Sequence, residues 1–314
     1  MPFIDLHCDT INEMLDRSQK LRENDLKVSV KKLKEGDVAC QFFAMYLELD
    51  RYPTPEAAFE RISDMHSLFC REMAENEENI VHVRSAAEMD KAIEAGKIAA
   101  FLTVEEGGVC GSSIERLHEL YQMGVRLITL TWNFENSIGY PNSDNRQIMN
   151  SGLKPFGLEF VDEMQRLGML IDVSHLSDGG FWDVAHRAKK PFVASHSNAR
   201  ALCPHRRNLI DEQLKAIAEK GGIVGINFYP AFLGEDKIGR VEQIIEHIRH
   251  IKRVAGIETL ALGSDFDGFF APCEIDSSAD LPKLIPALEQ AGFTGGEIEK
   301  ICFENALRVI REIL

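Results

Sequence analysis

The sequence predicts an α/β protein built as a closed (β/α)₈ barrel. Eight short apolar runs alternate with longer amphipathic segments along the 314 residues. The runs are rich in Val, Ile, Phe and Leu, which is typical of parallel strands buried on both faces. Eight such runs, most of them followed by a helical pattern, are the number that a closed barrel requires. They span residues 3–8, 38–47, 99–104, 127–132, 169–173, 191–194, 223–228 and 260–263.

The segments between these runs carry helical periodicity. In residues 55–73 the apolar side chains of Ala58, Ile62, Met65 and Phe69 recur on one helical face. The same pattern predicts further helices over residues 113–123, 156–167, 178–188, 211–218, 241–254 and 296–314. We expect one barrel domain over residues 1–314. Its short lid loops are expected at residues 133–151 and 229–240, which contain Gly, Pro and Asn.

An open, doubly wound sheet is the alternative fold for this alternation of strands and helices. It predicts a glycine-rich phosphate-binding loop directly after the first strand. The sequence there reads His7-Cys8-Asp9-Thr10. The closed barrel is therefore favoured.

Composition and charge narrow the class of protein. A formal net charge of −15 argues against a general affinity for nucleic acid or an anionic membrane, because both bind basic patches. Seven scattered cysteines without a CxxC pair favour free thiols in a reducing compartment. The first strand-like run begins at Phe3, which leaves no room for a signal peptide, and no run approaches the roughly 18 apolar residues of a membrane span. We expect a cytoplasmic protein.

Metal-competent side chains follow five of the eight predicted strands. In a barrel all strand C-termini open on one face, where active sites of this fold are built. Residues far apart in sequence are therefore expected to meet at one mouth. They are His7 and Asp9 after the first strand, Glu105 and Glu106 after the third, His175 after the fifth, His196 after the sixth, and Asp265 and Asp267 after the eighth.

Taken singly, each of these residues has an ordinary structural explanation. His7 and Asp9 lie two apart and so face the same side of a strand, but a buried histidine beside a turn-forming aspartate has the same spacing. His175 and His196 each follow an apolar strand and a serine. Together these imidazoles and carboxylates suit Zn²⁺ or a similar cation. Their number matches a two-metal site with a bridging carboxylate, for which Glu105 and Glu106 are both candidates.

Further residues are candidates for binding the substrate and for accepting a proton. Arg207, in the stretch Arg206-Arg207-Asn208 beyond the sixth strand, is either a helix-flanking base or a fork that binds a substrate carboxylate in bidentate fashion. Asp265 or Asp267 could accept a proton from water, although Asp267 is equally explained by an Asp-Gly turn. The remaining histidines are predicted to be structural or solvated.

These residues belong to a series of motifs by which the chain resembles, over essentially its whole length, the membrane (renal) dipeptidase family of zinc peptidases. This family belongs to the metal-dependent hydrolase superfamily, and its fold is the (β/α)₈ barrel. Each motif alone is weakly specific, but the order and spacing of the motifs together are strongly specific. The motifs are Ile4-Asp5-Leu6-His7-Cys8-Asp9-Thr10, Val104-Glu105-Glu106-Gly107-Gly108, Ile171-Asp172-Val173-Ser174-His175, Ser195-His196-Ser197, Arg206-Arg207-Asn208, Val224-Gly225-Ile226-Asn227-Phe228-Tyr229 and Gly263-Ser264-Asp265-Phe266-Asp267-Gly268.

The resemblance implies a role for each site residue. It assigns His7, Asp9 and a bridging glutamate to one zinc ion, and His175, His196 and the same glutamate to the other. It gives Arg207 the substrate carboxylate and Asp265 the proton transfer. The motif Glu-Gly-Gly would select Glu106 as the bridge, whereas the family pattern without a gap selects Glu105, and we choose Glu105. The expected reaction is hydrolysis of dipeptides, including L-D dipeptides, by a hydroxide that bridges two zinc ions.

One position departs from the family pattern. Where well-studied members carry a histidine that contacts the substrate near its scissile carbonyl, this chain has Trp132. An indole can donate one hydrogen bond but cannot become a cation. Two alternatives therefore stay open. One is another binuclear-metal amidohydrolase acting on β-lactams or N-acyl amino acids, and the other is a catalytically impaired peptide-binding barrel. The expected partner is a small peptide, and a homodimer is compatible with the fold.

Overall fold

The strands of the computed structural model, which describes residues 1–314, form one parallel sheet whose eight main strands close into a barrel. Pairing of β2 with β4 closes the ring that runs from β4 through β5, β6, β7, β8, β9 and β1 back to β2. The predicted (β/α)₈ barrel is confirmed. The strands are β1 (Phe3–Cys8), β2 (Val38–Tyr46), β3 (Ile80–His82), β4 (Ile98–Glu105), β5 (Val125–Thr129), β6 (Leu170–Asp172), β7 (Val193–Ala194), β8 (Ile223–Ile226) and β9 (Leu260–Leu262).

The strand β3 is an addition that the sequence pattern did not predict. It has three residues and pairs only with the start of β4, where Ile80 lies opposite Ile98. A run this short has no detectable alternation of apolar and polar residues. It adds a ninth strand without entering the ring.

The helices surround the barrel and include several that the sequence pattern missed. Helices α1, α2, α4, α6, α10 and α12 are short and were not predicted, whereas the long helices lie where the periodicity placed them. Serine or threonine caps several of the N-termini, as Thr54 does for α3 by accepting from the Ala57 N–H. The helices are α1 (Thr10–Arg17), α2 (Val30–Glu35), α3 (Pro55–Glu75), α4 (Ala86–Glu94), α5 (Ile114–Met123), α6 (Arg146–Met149), α7 (Pro155–Leu167), α8 (Asp178–Arg187), α9 (Asp211–Glu219), α10 (Pro230–Leu233), α11 (Val241–Ala255), α12 (Leu284–Gln290), α13 (Gly295–Glu299) and α14 (Asn305–Ile313).

The closing helical segment reaches the barrel in three connected parts. One π-helical turn, Lys300–Glu304, joins α13 to α14. One apolar cluster combines residues from all eight strands of the ring with Val309 and Ile310 of α14. Since this cluster touches every strand of the ring, it fills the barrel interior, and α14 covers the end opposite the strand C-termini. None of the helices combines the length and low polarity that crossing a bilayer requires.

The segments expected to form lids each carry a short helix. Helix α6 lies within residues 133–151, and α10 lies within residues 229–240. Both segments follow strands at the C-terminal face, α6 after β5 and α10 after β8. They therefore border the mouth of the barrel.

Candidate metal centre

Five of the residues singled out by the sequence lie together at the C-terminal mouth. His7 is in β1, Asp9 follows it, Glu105 ends β4, and His175 and His196 follow β6 and β7. All five side chains are buried. Because the parallel strands end at one face, residues separated by most of the chain become neighbours. The structure thus brings these five residues into one cluster.

Glu105 lies at the centre of this cluster. Its Oε2 is 3.3 Å from Nε2 of His7. Its Oε1 is 3.0 Å from Nε2 of His175 and 3.3 Å from Nε2 of His196. Each carboxylate oxygen therefore faces a different part of the cluster, as a bridging ligand requires.

Glu106 points away from the imidazoles. Its Oε1 accepts hydrogen bonds from the Gly108 N–H at 2.7 Å and from Nδ2 of Asn136 at 2.5 Å, and its Oε2 accepts from the Trp132 N–H at 3.0 Å. Burial raises the pKa of Glu106 to about 7, although these donors oppose the shift. Both of its oxygens are thus occupied by the loop that follows β5. Of the two glutamates, only Glu105 has the geometry of a bridge.

The ring nitrogens of His175 and His196 are arranged to bind a cation. Their Nε2 atoms are only 3.1 Å apart. Burial, followed by the charge of Arg207, lowers the pKa of His175 to about 4. Burial and the charge of His7 lower the pKa of His196 well below its ordinary value. Oδ1 of Asn133 lies 3.1 Å from Nδ1 of His175 and accepts its ring hydrogen, so Nε2 of His175 carries only a lone pair. A divalent cation is the partner that satisfies such nitrogen and carboxylate acceptors.

A second group of acceptors adjoins the first. Nε2 of His7 lies 3.3 Å from Oδ2 of Asp9 and 3.8 Å from Oδ1 of Asp265. The potential ligand atoms of His7, Asp9 and Asp265 all lie within 4.8 Å of one another. Nδ1 of His7 and Oδ1 of Asp9 are buried without a hydrogen-bond partner. Buried polar atoms are normally satisfied, so two unpartnered ones in adjoining residues indicate a ligand site.

Gly268 forms part of the wall beside this second group. A Cβ at this position would lie 2.5 Å from Oδ1 of Asp265 and 2.5 Å from Oδ2 of Asp9. Only a residue without a side chain lets the backbone pass this close to both carboxylates.

The charges of the cluster are strongly interdependent. Burial by itself would lower the pKa of His7, but the carboxylates of Glu105 and Asp9 hold it well above its ordinary value. Burial opposes ionisation of Glu105, but the charge of His7 and the contacts to His175 and His196 together hold the pKa of Glu105 well below its usual range. Burial and the neighbouring charge of Glu105 raise the pKa of Asp9 well above its ordinary value. So concentrated a set of perturbed groups is typical of functional sites.

Asp265 is held at the edge of the cluster. Its Oδ2 accepts from Nδ2 of Asn227 at 2.9 Å, and its Oδ1 faces His7. Burial raises the pKa of Asp265 to about 6. The backbone at Asp265 (φ 63°) and at His175 (φ 66°) is left-handed, a conformation that costs about 1–3 kcal/mol and clusters at functional sites.

Asp267 lines the same cavity as Asp265, as expected, but both of its carboxylate oxygens are hydrogen-bonded outside the cluster. Its Oδ2 accepts from the hydroxyl of Thr10 at 2.6 Å, and its Oδ1 accepts from the Lys27 N–H at 2.7 Å. The strand ends at Leu262, so the alternation that would align Asp265 with Asp267 does not extend to them. Asp267 has a structural role at the turn.

Arg207 is a buried cation beside the cluster with few partners. Its Nε has no hydrogen-bond partner. Nη2 donates to the backbone oxygen of His196 at 3.3 Å, and Nη1 reaches Oγ of Ser197 at 3.5 Å. Burial lowers the pKa of Arg207 to about 10. The neighbouring Arg206 instead points outward and pairs with Asp144. A buried guanidinium so poorly satisfied is suited to an anionic group of a ligand.

Trp132 lines a cavity of about 520 Å³ in front of the cluster. Its ring centroid lies 5.0 Å from that of Tyr46 in an edge-on contact and 6.2 Å from that of His175. Asp9, Glu105, His175 and Asp265 open into the same cavity. The position that departs from the family pattern therefore forms a wall of the candidate site.

A set of residues that was not predicted from the sequence forms hydrogen bonds within and beneath the cluster. All six are polar residues that lie within an apolar run or directly after one, and that position was the available signal. They are Asp5, Asn133, Asp172, Ser195, Asn227 and Ser264. By contrast, the other histidines make structural contacts, as His250 does with Asp211 at 2.7 Å, and all seven cysteines are free.

Known proteins resemble this chain over most or all of its length. Residues 1–314 match the family model of membrane dipeptidases, peptidase family M19. A protein of Klebsiella pneumoniae, described as an uncharacterized protein in the pqqA 5′ region, is 38% identical over 241 residues, which are 73% of this chain and 87% of that relative.

Solved structures of this family have nearly the same fold. The metallopeptidase dipeptidase AC, of family M19, superimposes with a TM-score of 0.92 at 27% identity, covering 100% of this chain and 98% of that one. A metallopeptidase of Rhodobacter sphaeroides, solved with a phosphinate mimic of the dipeptide L-Ala-D-Ala, gives a TM-score of 0.90 at 26% identity and covers 100% and 99%.

Proposed function

The chain belongs to the membrane dipeptidase family, peptidase family M19, and is a metal-dependent hydrolase of peptide bonds; on this premise we propose that its substrates are dipeptides, including those with a C-terminal D-residue. The observation that carries the proposal is the position of Glu105 between three imidazoles, with the unsatisfied guanidinium of Arg207 nearby. The relative from Rhodobacter sphaeroides, bound to a mimic of L-Ala-D-Ala, supports the stereochemical part.

Two divalent cations, which we propose to be zinc, would be held by the five clustered residues. His7, Asp9 and Oε2 of Glu105 form one set of ligands, and His175, His196 and Oε1 of Glu105 form the other. Such ions lower the pKa of a bound water toward about 7 and polarise a carbonyl oxygen. The unprotonated Nε2 of His175 and the carboxylates of Asp9 and Glu105 provide the donor types that zinc prefers.

Arg207 would bind the C-terminal carboxylate of the substrate. The guanidinium is buried, always charged and lacks a carboxylate partner of its own. A fork-like pair of hydrogen bonds from it would hold the carboxylate and fix the distance to the scissile bond. A longer peptide carries an amide where this carboxylate would bind, and the selection for dipeptides follows from that difference.

Asp265 would move the proton. Its pKa of about 6 lies close to neutral pH, where a general base and acid is most effective. It would take the proton of the attacking water and deliver it to the leaving nitrogen. Asn227 holds one oxygen by its hydrogen bond to Oδ2 and leaves the other facing the cluster.

A panel of substrates tests this function. Zinc-loaded protein is incubated with L-L, L-D and D-L dipeptides, with an N-acetylated dipeptide and with a β-lactam, and free amino acids or ring-opened products are measured. We expect release from L-L or L-D dipeptides and about two zinc ions per chain. Turnover of only the N-acetylated substrate or the β-lactam would replace the dipeptidase by another amidohydrolase. Binding without any turnover would leave a peptide-binding barrel.

A further inference from the structure

Two identical contacts between an aspartate and a serine join neighbouring strands beneath the cluster. Asp5 accepts from the Ser264 N–H at 2.8 Å and from its hydroxyl at 2.6 Å. Asp172 accepts from the Ser195 N–H at 2.8 Å and from its hydroxyl at 2.6 Å. All four residues are buried. Each serine directly precedes a residue of the site, Asp265 in one case and His196 in the other.

The two contacts differ in what else the serine touches. Oγ of Ser195 lies 2.7 Å from Nδ1 of His196. Oγ of Ser264 meets no imidazole, and its other contacts are the backbone oxygen of His7 at 3.3 Å and the Phe266 N–H at 3.2 Å. The contact at Ser195 can therefore orient the His196 ring, whereas the contact at Ser264 only links the two chain segments.

The direction of the hydrogen bonds at Ser195 follows from Asp172. The carboxylate of Asp172 also accepts from the hydroxyl of Thr129 at 2.7 Å and from the Ser174 N–H at 3.0 Å, so it is surrounded by donors. The single hydroxyl hydrogen of Ser195 is directed to this carboxylate. Its oxygen is then left with lone pairs, and the short contact to His196 is a hydrogen bond only if Nδ1 carries the hydrogen.

We propose that Ser195, oriented by Asp172, is a positioning residue that keeps the ring hydrogen of His196 on Nδ1. Nε2 of His196 is then unprotonated where it faces Glu105 and His175. Outer partners that fix the tautomer of a ligating histidine raise cation affinity in this way. The tautomer is a property of the protein alone, and only the effect on affinity rests on the proposed function.

The tautomer is measured on the metal-free protein. Histidine is labelled with ¹⁵N in both ring positions, and the signals of His196 are identified by their loss in His196→Ala. We expect the wild-type ring to carry its hydrogen on Nδ1. In Asp172→Asn the amide can donate to Ser195 and reverse the chain, so the Nε2-protonated form should grow. A wild-type ring with its hydrogen on Nε2 would overturn the proposal without any variant.

The effect on affinity is measured by titration with Co²⁺ alone. We expect Ser195→Ala to bind Co²⁺ about 10–100-fold more weakly. Ser195→Thr keeps the hydroxyl and should restore binding. The matched control is Ser264→Ala, which loses the same tether but no contact to a ring, so its loss of Co²⁺ affinity should be clearly smaller than that of Ser195→Ala. Equal losses in Ser195→Ala and Ser264→Ala would reduce Ser195 to a structural tether.

The measurements distinguish a failure of the proposed cation site from a failure of the role proposed for Ser195. If wild-type protein binds no Co²⁺, the proposed cation site fails, while the NMR measurement still decides the tautomer of His196. If Co²⁺ binds and dipeptides are cleaved but the ring hydrogen of His196 lies on Nε2, only the role proposed for Ser195 fails.

Discussion

The backbone N–H of Trp132 donates to Oε2 of Glu106 at 3.0 Å, so the residue next to the central carboxylate holds the indole that lines the cavity. The same carboxylate accepts from Asn136 of that loop. Adjacent glutamates thus have separate tasks. Glu105 faces the imidazoles, and Glu106 fixes the loop that forms the cavity wall.

Replacing Trp132 tests the departure from the family pattern. We expect Trp132→His to raise kcat on dipeptides, on the order of 10²-fold, because an imidazole can supply a donor near the scissile carbonyl. Trp132→Phe keeps an aromatic wall without a donor and serves as the control. Steady-state kinetics in which the histidine variant is no faster than the phenylalanine variant would refute this role.

The pair Glu105 and Glu106 separates cation binding from loop anchoring. Glu105→Gln removes the charge between the three imidazoles, so we expect loss of bound zinc and a fall in kcat of at least about 10³-fold. Glu106→Gln should keep the zinc content but destabilise the fold by about 1–3 kcal/mol, since an amide donor then faces N–H groups in a buried site. Metal analysis and urea unfolding of both variants test these two roles. Zinc loss in Glu106→Gln alone would show that Glu106, and not Glu105, is the cation ligand.

Arg207 and Arg206 form a second matched pair. Arg207→Ala should raise KM and lower kcat/KM by about 10²-fold or more, because a hydrogen-bonded charge pair with the substrate is lost. Arg207→Lys should recover little, since an ammonium cannot form the fork. Arg206→Ala removes a charge of the same sign that pairs with Asp144 at the surface, and its kinetics should resemble those of the wild type. Equal effects at both positions would point to general electrostatics instead of carboxylate binding.

Gly268 should not tolerate a side chain. In Gly268→Ala the new methyl group would meet Oδ1 of Asp265 and Oδ2 of Asp9 at 2.5 Å, so both carboxylates must shift. We expect a reduced zinc content and a loss of activity, with little loss of stability. The control is Gly296→Ala, where nothing lies within 4 Å and where alanine favours the helix. Full zinc content in Gly268→Ala would show that the two carboxylates can move without losing a cation.

The buried His247, which is not one of the cluster residues, is expected to cause part of the acid sensitivity of the fold. Its Nδ1 accepts from the Ala199 N–H and its Nε2 donates to the oxygen of Leu233, both at 3.1 Å, and burial lowers its pKa to about 4. The unfolded chain therefore takes up this proton at higher pH than the folded protein does. The contribution to stability is complete above about pH 6.5 and is lost as the pH falls toward 4, by up to about 3 kcal/mol.

Variants isolate this contribution. His247→Gln should be less stable at pH 7 and should lose stability less steeply between pH 6.5 and 4.5 in urea unfolding. The exposed His186→Gln should unfold with the slope of the wild type. An unchanged slope in His247→Gln would assign the acid sensitivity to other groups.

The barrel was largely predictable from the sequence because strands buried on both faces are continuous apolar runs. The elements that escaped prediction are short, such as β3 with Ile80–His82, and owe their structure to neighbours more than to their own pattern. The convergence of His7, Asp9, Glu105, His175 and His196 also followed from strand order. The separate roles of Glu105 and Glu106 did not, because a strand end and the turn after it determine where adjacent side chains point.

Supporting residues were harder to predict for a related reason. Asp172 ends β6 and Ser195 follows β7, and nothing in either local sequence indicates a hydrogen bond between them. The sequence also left open whether Asp267 faces the site or forms a turn, since both Asp265 and Asp267 have left-handed backbone and the strand alternation has already ended. Long-range pairing and irregular backbone determine these contacts.

The pairing of β1 with β9, which joins the first strand to the last, has a consequence for biosynthesis. A nascent chain on the ribosome that has emerged as far as His196, just after β7, already carries all five side chains of the cluster. It still lacks the strands that complete the ring, and such distant pairings form slowly. Capture of a cation by this chain is therefore expected to follow the emergence and pairing of β9 instead of guiding the earliest folding of the chain.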